Sequence, residues 1–259
     1  MSSKLSTFIC QNCGSETSQY FGKCLNCNSW NSIVEEIKSK TSKYQEKKNS
    51  KKSIPFHEIS SKKRSRFTSG FKEFDRVLGG GIVPGSVVLL GGEPGIGKST
   101  LVLQSAGKIS LNEKVLYITA EESLEQVKIR WERLNQNSID LKIFAETNLS
   151  LIIEEIKRVN PSFAIIDSIQ AIHNHEMQSS PGSVSQVREC SSELQNLAKD
   201  NNVALLIIGH VTKDGALAGP KTLEHLVDTV INFEGDNICL LYTSPSPRDN
   251  KASRMPSSA

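Results

Sequence analysis

The sequence predicts an α/β fold: a mostly parallel sheet with helices on both faces, preceded by a small cysteine-rich unit. Two observations carry the sheet. From Phe67 onward, apolar runs of strand length alternate with segments of helical periodicity. Strands joined through helices pair in parallel and are covered on both faces. A G-x-x-x-x-G-K-[ST] loop also sits between the first such run and the first helical segment. The cysteine-rich unit rests on a third observation, two Cys-x-x-Cys pairs near the N-terminus.

Taken in order, residues 1–34 form the cysteine unit. It is too short to bury much of a core and needs a staple. Residues 35–66 are dense in lysine and poor in large apolar side chains, which predicts a basic, flexible linker. Residues 67–238 form the α/β domain. Val87–Leu90 is a buried strand. Ser99–Ser110 carries Leu101, Val102, Ala106 and Ile109 at helical spacing. Val115–Thr119 is a strand, and Leu124–Leu134 a helix with Val127, Trp131 and Leu134 on one face. Leu141–Phe144 is a short strand, and Leu149–Val159 a helix closed by Pro161. Phe163–Asp167 is a strand, Ser183–Lys199 a helix, and Val203–Gly209 and Thr229–Phe233 are further strands. The pattern stops near Asp236. Residues 239–259, rich in Ser and Pro, continue no element and are expected to be a disordered tail, foreign to the sequence before it.

A net charge of +3 is too mild to announce nucleic acid by itself. No apolar stretch approaches the roughly 20 residues that span a bilayer, and Met1–Cys10 holds no long apolar run of the signal-peptide kind. A cytoplasmic protein with no membrane partner is expected. Of six cysteines, Cys190 and Cys239 stand alone. Cys10, Cys13, Cys24 and Cys27 form the two pairs, and two such pairs place four thiolates around one tetrahedral zinc ion. A redox Cys-x-x-Cys usually occurs once, on a thioredoxin-like βαβ pattern, and here there are two pairs without it. Gly14 and Gly22 are expected to allow tight turns behind the pairs. Four thiolates leave no open position, so the zinc is structural.

The loop Gly92-Glu93-Pro94-Gly95-Ile96-Gly97-Lys98-Ser99-Thr100 has the composition of a phosphate cradle. Its glycines let backbone N–H groups converge on phosphate oxygens, and the helix that follows adds favourable partial charge. Lys98 would reach the β- and γ-phosphates of ATP, and Ser99 would ligate Mg²⁺. Asp167 ends an apolar strand, where the second metal-side carboxylate belongs. Glu121 and Glu122 follow Val115–Thr119 at the sheet edge where ligands bind, and one of them, Glu121 ahead of Glu122, would act as general base on the attacking water. His173 and His175 are expected in a solvated loop.

These residues resemble a known family, the bacterial DNA-repair ATPase RadA, also called Sms. The resemblance runs from Cys10 to about Asp236. It rests on the four-cysteine knuckle, Leu78-Gly79-Gly80-Gly81-Ile82-Val83-Pro84-Gly85-Ser86, Tyr117-Ile118-Thr119-Ala120-Glu121-Glu122-Ser123, Ile165-Ile166-Asp167-Ser168-Ile169-Gln170, and above all Gly209-His210-Val211-Thr212-Lys213-Asp214-Gly215 with Leu217-Ala218-Gly219-Pro220-Lys221. It implies a RecA-like ATPase core in homo-hexameric rings that enclose single-stranded DNA and use ATP to extend recombination intermediates, with a recombinase as partner. By the same resemblance His210 senses the γ-phosphate, and Lys213 and Lys221 contact DNA. A mediator that binds DNA or recombinase under nucleotide control, without translocating, is the alternative. A KaiC-type ATPase is a third reading, opposed by the knuckle. The family's Lys-Asn-Arg-Phe-Gly motif and Lon-like C-terminal domain have no counterpart here. The likeness stops near Asn237–Leu240, which is why the last residues read as an unrelated tail on a shortened gene.

Overall fold

A computed structural model describes residues 6–10, 13–37, 55, 66–135, 140–177, 179–210 and 223–234. Most of the expected linker, all of the expected tail, and Lys213 and Lys221 lie outside the described residues.

The N-terminal unit is a three-stranded antiparallel ribbon in the order β2-β1-β3, with β1 at Ser6–Cys10, β2 at Glu16–Thr17 and β3 at Ile33–Ile37. Its interior is Cys10, Cys24 and Ile33, with Phe8, Cys13 and Cys27 packed against them. That is too little apolar surface to hold a fold alone.

The α/β domain begins with a short helix α1 at Lys72–Val77. Then come β4 (Val87–Gly92), α2 (Lys98–Ile109), β5 (Val115–Thr119), α3 (Leu124–Arg133) and β6 (Leu141–Ala145). After these follow α4 (Leu149–Val159), β7 (Phe163–Asp167), α5 (Val184–Asn201), β8 (Ala204–His210) and β9 (Thr229–Phe233). The six strands form one sheet in the order β6-β5-β7-β8-β4-β9, and every pairing in it is parallel.

The strands alternate strictly between two cores, as a pleat requires. Leu116, Ile118, Ala164, Ile166, Leu205 and Ile207 face one side, where α4 and α5 bring Leu149, Ile152, Ile156, Val187 and Leu194. Val115, Tyr117, Phe163, Ile165, Leu206 and Ile208 face the other, where α1, α2 and α3 bring Phe74, Val102, Leu103, Ala106 and Val127. Burial on both faces explains the continuous apolar runs. Asn148 caps the start of α4 by accepting from the Ser150 N–H, and Asn160, at φ 45°, ends it before Pro161.

Register then sets the site. β5 pairs with β7 so that Thr119 lies opposite Asp167, and β4 pairs with β8 so that Gly92 lies opposite His210. The phosphate-type loop, the two glutamates, Asp167 and His210 therefore emerge together at the carboxyl edge of four adjacent strands, where open α/β sheets bind ligands. β8 lies between β4 and β7, so His210 stands between the loop and Asp167.

Candidate nucleotide-binding site and cysteine centre

The loop 92–97 crosses from β4 into α2 with Gly95 at φ 82° and Gly97 at φ 108°, left-handed backbone that glycine adopts without strain. Gly92 is small for another reason. A Cβ there would lie 2.4 Å from the backbone oxygen of Phe233 on β9. Lys98 is buried, and its Nζ donates to the carbonyls of Gly92, at 2.7 Å, and Glu93, at 2.8 Å. Burial pushes the Lys98 pKa down, and Asp167, Glu121 and Glu93 oppose that shift.

Asp167 is buried at the end of β7. Burial raises its pKa, and hydrogen bonds from Tyr117 and Ser99 pull it back. The metal-side pair expected from sequence, Ser99 and Asp167, is thus in contact. The next residue, Ser168, donates its hydroxyl to Glu121 Oε1. His210 Nε2 lies 3.0 Å from the same oxygen and 3.3 Å from Oε2. A carboxylate only accepts, so Nε2 is the donor. His210, first, and Ser168 hold the Glu121 carboxyl below its usual range against the opposing effect of burial. The His210 Nδ1 is buried with no hydrogen-bond partner among the described residues.

Glu122 faces elsewhere. It forms an ion pair with Arg130, eight residues on in α3. Two devices fix this division. Thr119 Oγ1 donates to the Glu122 carbonyl at 2.8 Å, closing the turn. Ser123 and Gln126 then form a reciprocal capping box that starts α3 immediately after the glutamates. Glu121 is therefore the carboxylate that shares the site with Lys98, Asp167 and His210.

Three contributors were not singled out from sequence: Tyr117, Ser168 and Arg130. The polar Tyr117 within an otherwise aliphatic run Val-Leu-Tyr-Ile was a signal available for one of them. Ser168 and Arg130 become visible only through register and helix phase. His173 and His175 lie in a partly exposed loop, with their Nε2 atoms 3.1 Å apart.

In the ribbon, the Sγ atoms of Cys10, Cys13, Cys24 and Cys27 all lie within 4.8 Å of one another. The contacts Cys10–Cys27 and Cys13–Cys24 are 3.6 and 3.5 Å. Zinc–sulfur bonds of about 2.3 Å in a tetrahedron separate sulfurs by roughly 3.8 Å, so the four thiols fit such an ion. The two knuckles repeat one hydrogen-bond pattern. Cys10 N–H donates to Ser15 O and Gly14 N–H to Cys10 O, as Cys24 N–H does to Ser29 O and Asn28 N–H to Cys24 O. This corrects one expectation. The left-handed turn residues are Gly14, at φ 70°, and Asn28, at φ 59°, not Gly22. Asparagine adopts that conformation more readily than other non-glycine residues. Hydrogen bonding to Ser29 holds the Cys27 thiol down at about 6, whereas burial pushes the Cys13 thiol up to about 12.

A family model for an AAA domain matches residues 58–216, more than half of the chain. The chain belongs to this AAA family. A model for a rubredoxin metal binding domain matches residues 8–35, the stretch that carries the four cysteines. Curated relatives named DNA repair protein RadA include one from Listeria monocytogenes, 50% identical over 233 residues, covering 88% of this chain and 51% of that protein. Another, from Bacillus subtilis, is 46% identical over 243 residues, covering 91% of this chain and 53% of that protein. The expected likeness to RadA is borne out, and the chain spans about half the length of the curated relatives it matches. The crystal structure of a KaiC-like protein from Pyrococcus horikoshii aligns with a TM-score of 0.52 at 22% identity, covering 66% of this chain and 81% of that one. At that identity it bears on the fold, which is the RecA-like α/β arrangement expected. The family is one of ATPases. Among the described residues, no helix is long and apolar enough to cross a membrane.

Proposed function

We propose that this chain is a Mg²⁺-dependent, DNA-stimulated ATPase of homologous recombination and repair, which binds single-stranded DNA and drives branch migration. The observation that carries the reading is the Glu121 carboxylate, held by Ser168 and His210 beside Lys98 and Asp167 at one sheet edge. That is the minimum set for phosphoryl transfer to water: a cation for the phosphates, a metal-side carboxylate and a base.

On ATP binding, Lys98 exchanges the carbonyls of Gly92 and Glu93 for the β- and γ-phosphates. Ser99 and Asp167 would hold a magnesium ion, which would supply charge neutralisation at the phosphate oxygens. Glu121, kept ionised by its two donors, accepts the proton of the attacking water. His210 stands between the loop and Asp167, and its bond to Glu121 competes with a bond to the γ-phosphate. Loss of that phosphate then reaches the segment after His210, where Lys213 and Lys221 are the proposed DNA contacts. A homo-hexamer around the strand, a recombinase partner, a zinc-loaded ribbon and a cytoplasmic setting complete the proposal. The relatives' name, DNA repair protein, supports the nucleic-acid half.

ATP turnover measured with and without single-stranded DNA tests it, with Lys98→Ala as the blank. Stimulation that vanishes in the variant, together with ATP-driven displacement of a branched strand, is the expected result. DNA binding under nucleotide control without displacement assigns the chain to a mediator instead. Turnover indifferent to DNA overturns the DNA half of the reading.

A further inference from the structure

Tyr117 is fully buried, yet it carries a hydroxyl into a core of hydrocarbon. Its cluster neighbours Val115, Phe163, Ile165 and Leu206 are all apolar, and phenylalanine would fill the same volume. The hydroxyl has one destination: it donates to Asp167 Oδ2, fifty residues away. Register brings the two groups within reach. Tyr117 lies opposite Ile165 in the β5–β7 ladder, and Asp167 follows two residues later on the same face, within reach of a long side chain on the diagonal. Asp167 also accepts from Ser99, the second residue of α2.

We propose that Tyr117 is a positioning residue for the metal side of the site: its hydroxyl fixes Asp167 Oδ2, so that Oδ1 is left for Ser99 and the magnesium shell. The inference rests on the reading of Asp167 as the magnesium-side carboxylate. Tyr117 touches neither nucleotide nor metal and acts through Asp167 alone. Without the hydroxyl, the terminal torsion of the aspartate, which has no sharp rotamer of its own, turns freely. Oδ2, buried and unpaired, then competes for Ser99. The nucleotide still binds through Lys98 and the loop, but the gain it draws from the metal is reduced.

The test is the affinity of the full chain for fluorescent ADP, measured once with Mg²⁺ and once with EDTA, in Tyr117→Phe, Asp167→Asn and Phe163→Leu. Tyr117→Phe is expected to cut the magnesium-dependent gain in affinity about tenfold and to leave binding in EDTA unchanged, the order of effect of one lost charge-assisted hydrogen bond. The magnesium needed for half-maximal turnover rises in step, and excess magnesium restores turnover. Phe163→Leu, a packing change in the same core, leaves the gain intact. If it lowers the gain as much as Tyr117→Phe does, the effect is packing and the proposal falls. Loss of binding in EDTA as well assigns the hydroxyl to the fold and also overturns it. A wild-type gain in Tyr117→Phe beside a lost one in Asp167→Asn defeats the inference alone. A wild-type gain in Asp167→Asn defeats the reading beneath it.

Discussion

In the ribbon, the buried hydrophobic side chains among the described residues are, besides two cysteines, Ile9 and Ile33. In the sheet domain, every residue of β5 and β7 is buried, and two separate cores press on the strands from either side. The same chain thus contains a region that needs a bond to an ion and a region that needs nothing but its own side chains. Burial of a Leu- or Ile-sized side chain contributes about 1.5–3 kcal/mol. The ribbon has too few such side chains to offset the entropy of ordering its residues, whereas the sheet has dozens. What the difference teaches is where chemistry can be altered without loss of structure. In the sheet domain, the proposed site lies at the carboxyl edge and meets the core through Tyr117, so most core side chains can be changed without touching it. In the ribbon the ligands are the core, and they cannot.

The largest break in that comparison comes from removing metal. Chelation, or Cys10→Ser, is expected to unfold residues 6–37 completely, because ion binding there is folding free energy. Melting of the sheet domain is expected to stay in place, as followed by calorimetry or by amide exchange of the two regions. Joint unfolding would mean that the sheet domain depends on the ribbon. Next in size is Glu121→Gln, which should lower ATP turnover roughly 10²–10⁴-fold while the melting temperature holds. Glu122→Gln should affect turnover far less and stability more, since it breaks the pair with Arg130. Equal losses of turnover would reverse the assignment of the base.

Ile165→Ala makes the converse change. It should cost about 2–5 kcal/mol of sheet stability in denaturant titration, with the ribbon's metal affinity unmoved. His210→Ala has a subtler effect. His210 depresses the Glu121 pKa, so removing it lets that pKa rise. The base is then lost at higher pH, and the acid limb of the turnover profile moves upward. An unmoved limb would show that Ser168 and Lys98 suffice. The smallest effect expected is Ser123→Ala, about 1 kcal/mol from the lost cap of α3.

Much of the sheet could be read before any coordinates. The strands 115–119, 163–167 and 229–233 and the helix 149–159 match to the residue. Burial on both faces writes 115–119 and 163–167 as unbroken apolar runs, the half-exposed edge strand 229–233 keeps three apolar residues of five, and Pro161 marks the end of the helix. The phosphate-type loop was legible because its residue types and spacing are dictated by what it must hold. Less was legible where geometry comes from pairing rather than from local sequence. The ribbon strands Ser6–Cys10 and Ile33–Ile37 carry no clean alternation, because sulfur ligands do the work of a hydrophobic face. Helix α1, at Lys72–Val77, is too short for a period to register. Sequence ranked Glu121 over Glu122 but could not say why. The reason is a turn closed by Thr119, a capping box, and an arginine two helical turns away. Asn28 in place of Gly22 was missed for a similar reason: only the repeated hydrogen bonds of the two knuckles reveal which residue turns.

The close approach of β9 to Gly92 bears on how loss-of-function alleles in this loop should be interpreted. A methyl group at position 92 meets the Phe233 carbonyl at 2.4 Å before any ligand arrives, whereas one at Gly95 meets nothing within 4 Å. An inactive Gly92→Ala allele would therefore report a displaced edge strand, and a genetic screen that scored it as a nucleotide-contact defect would misassign the lesion. Two glycines three residues apart in one motif answer to different masters, one to the neighbouring strand and the other to its own backbone angles.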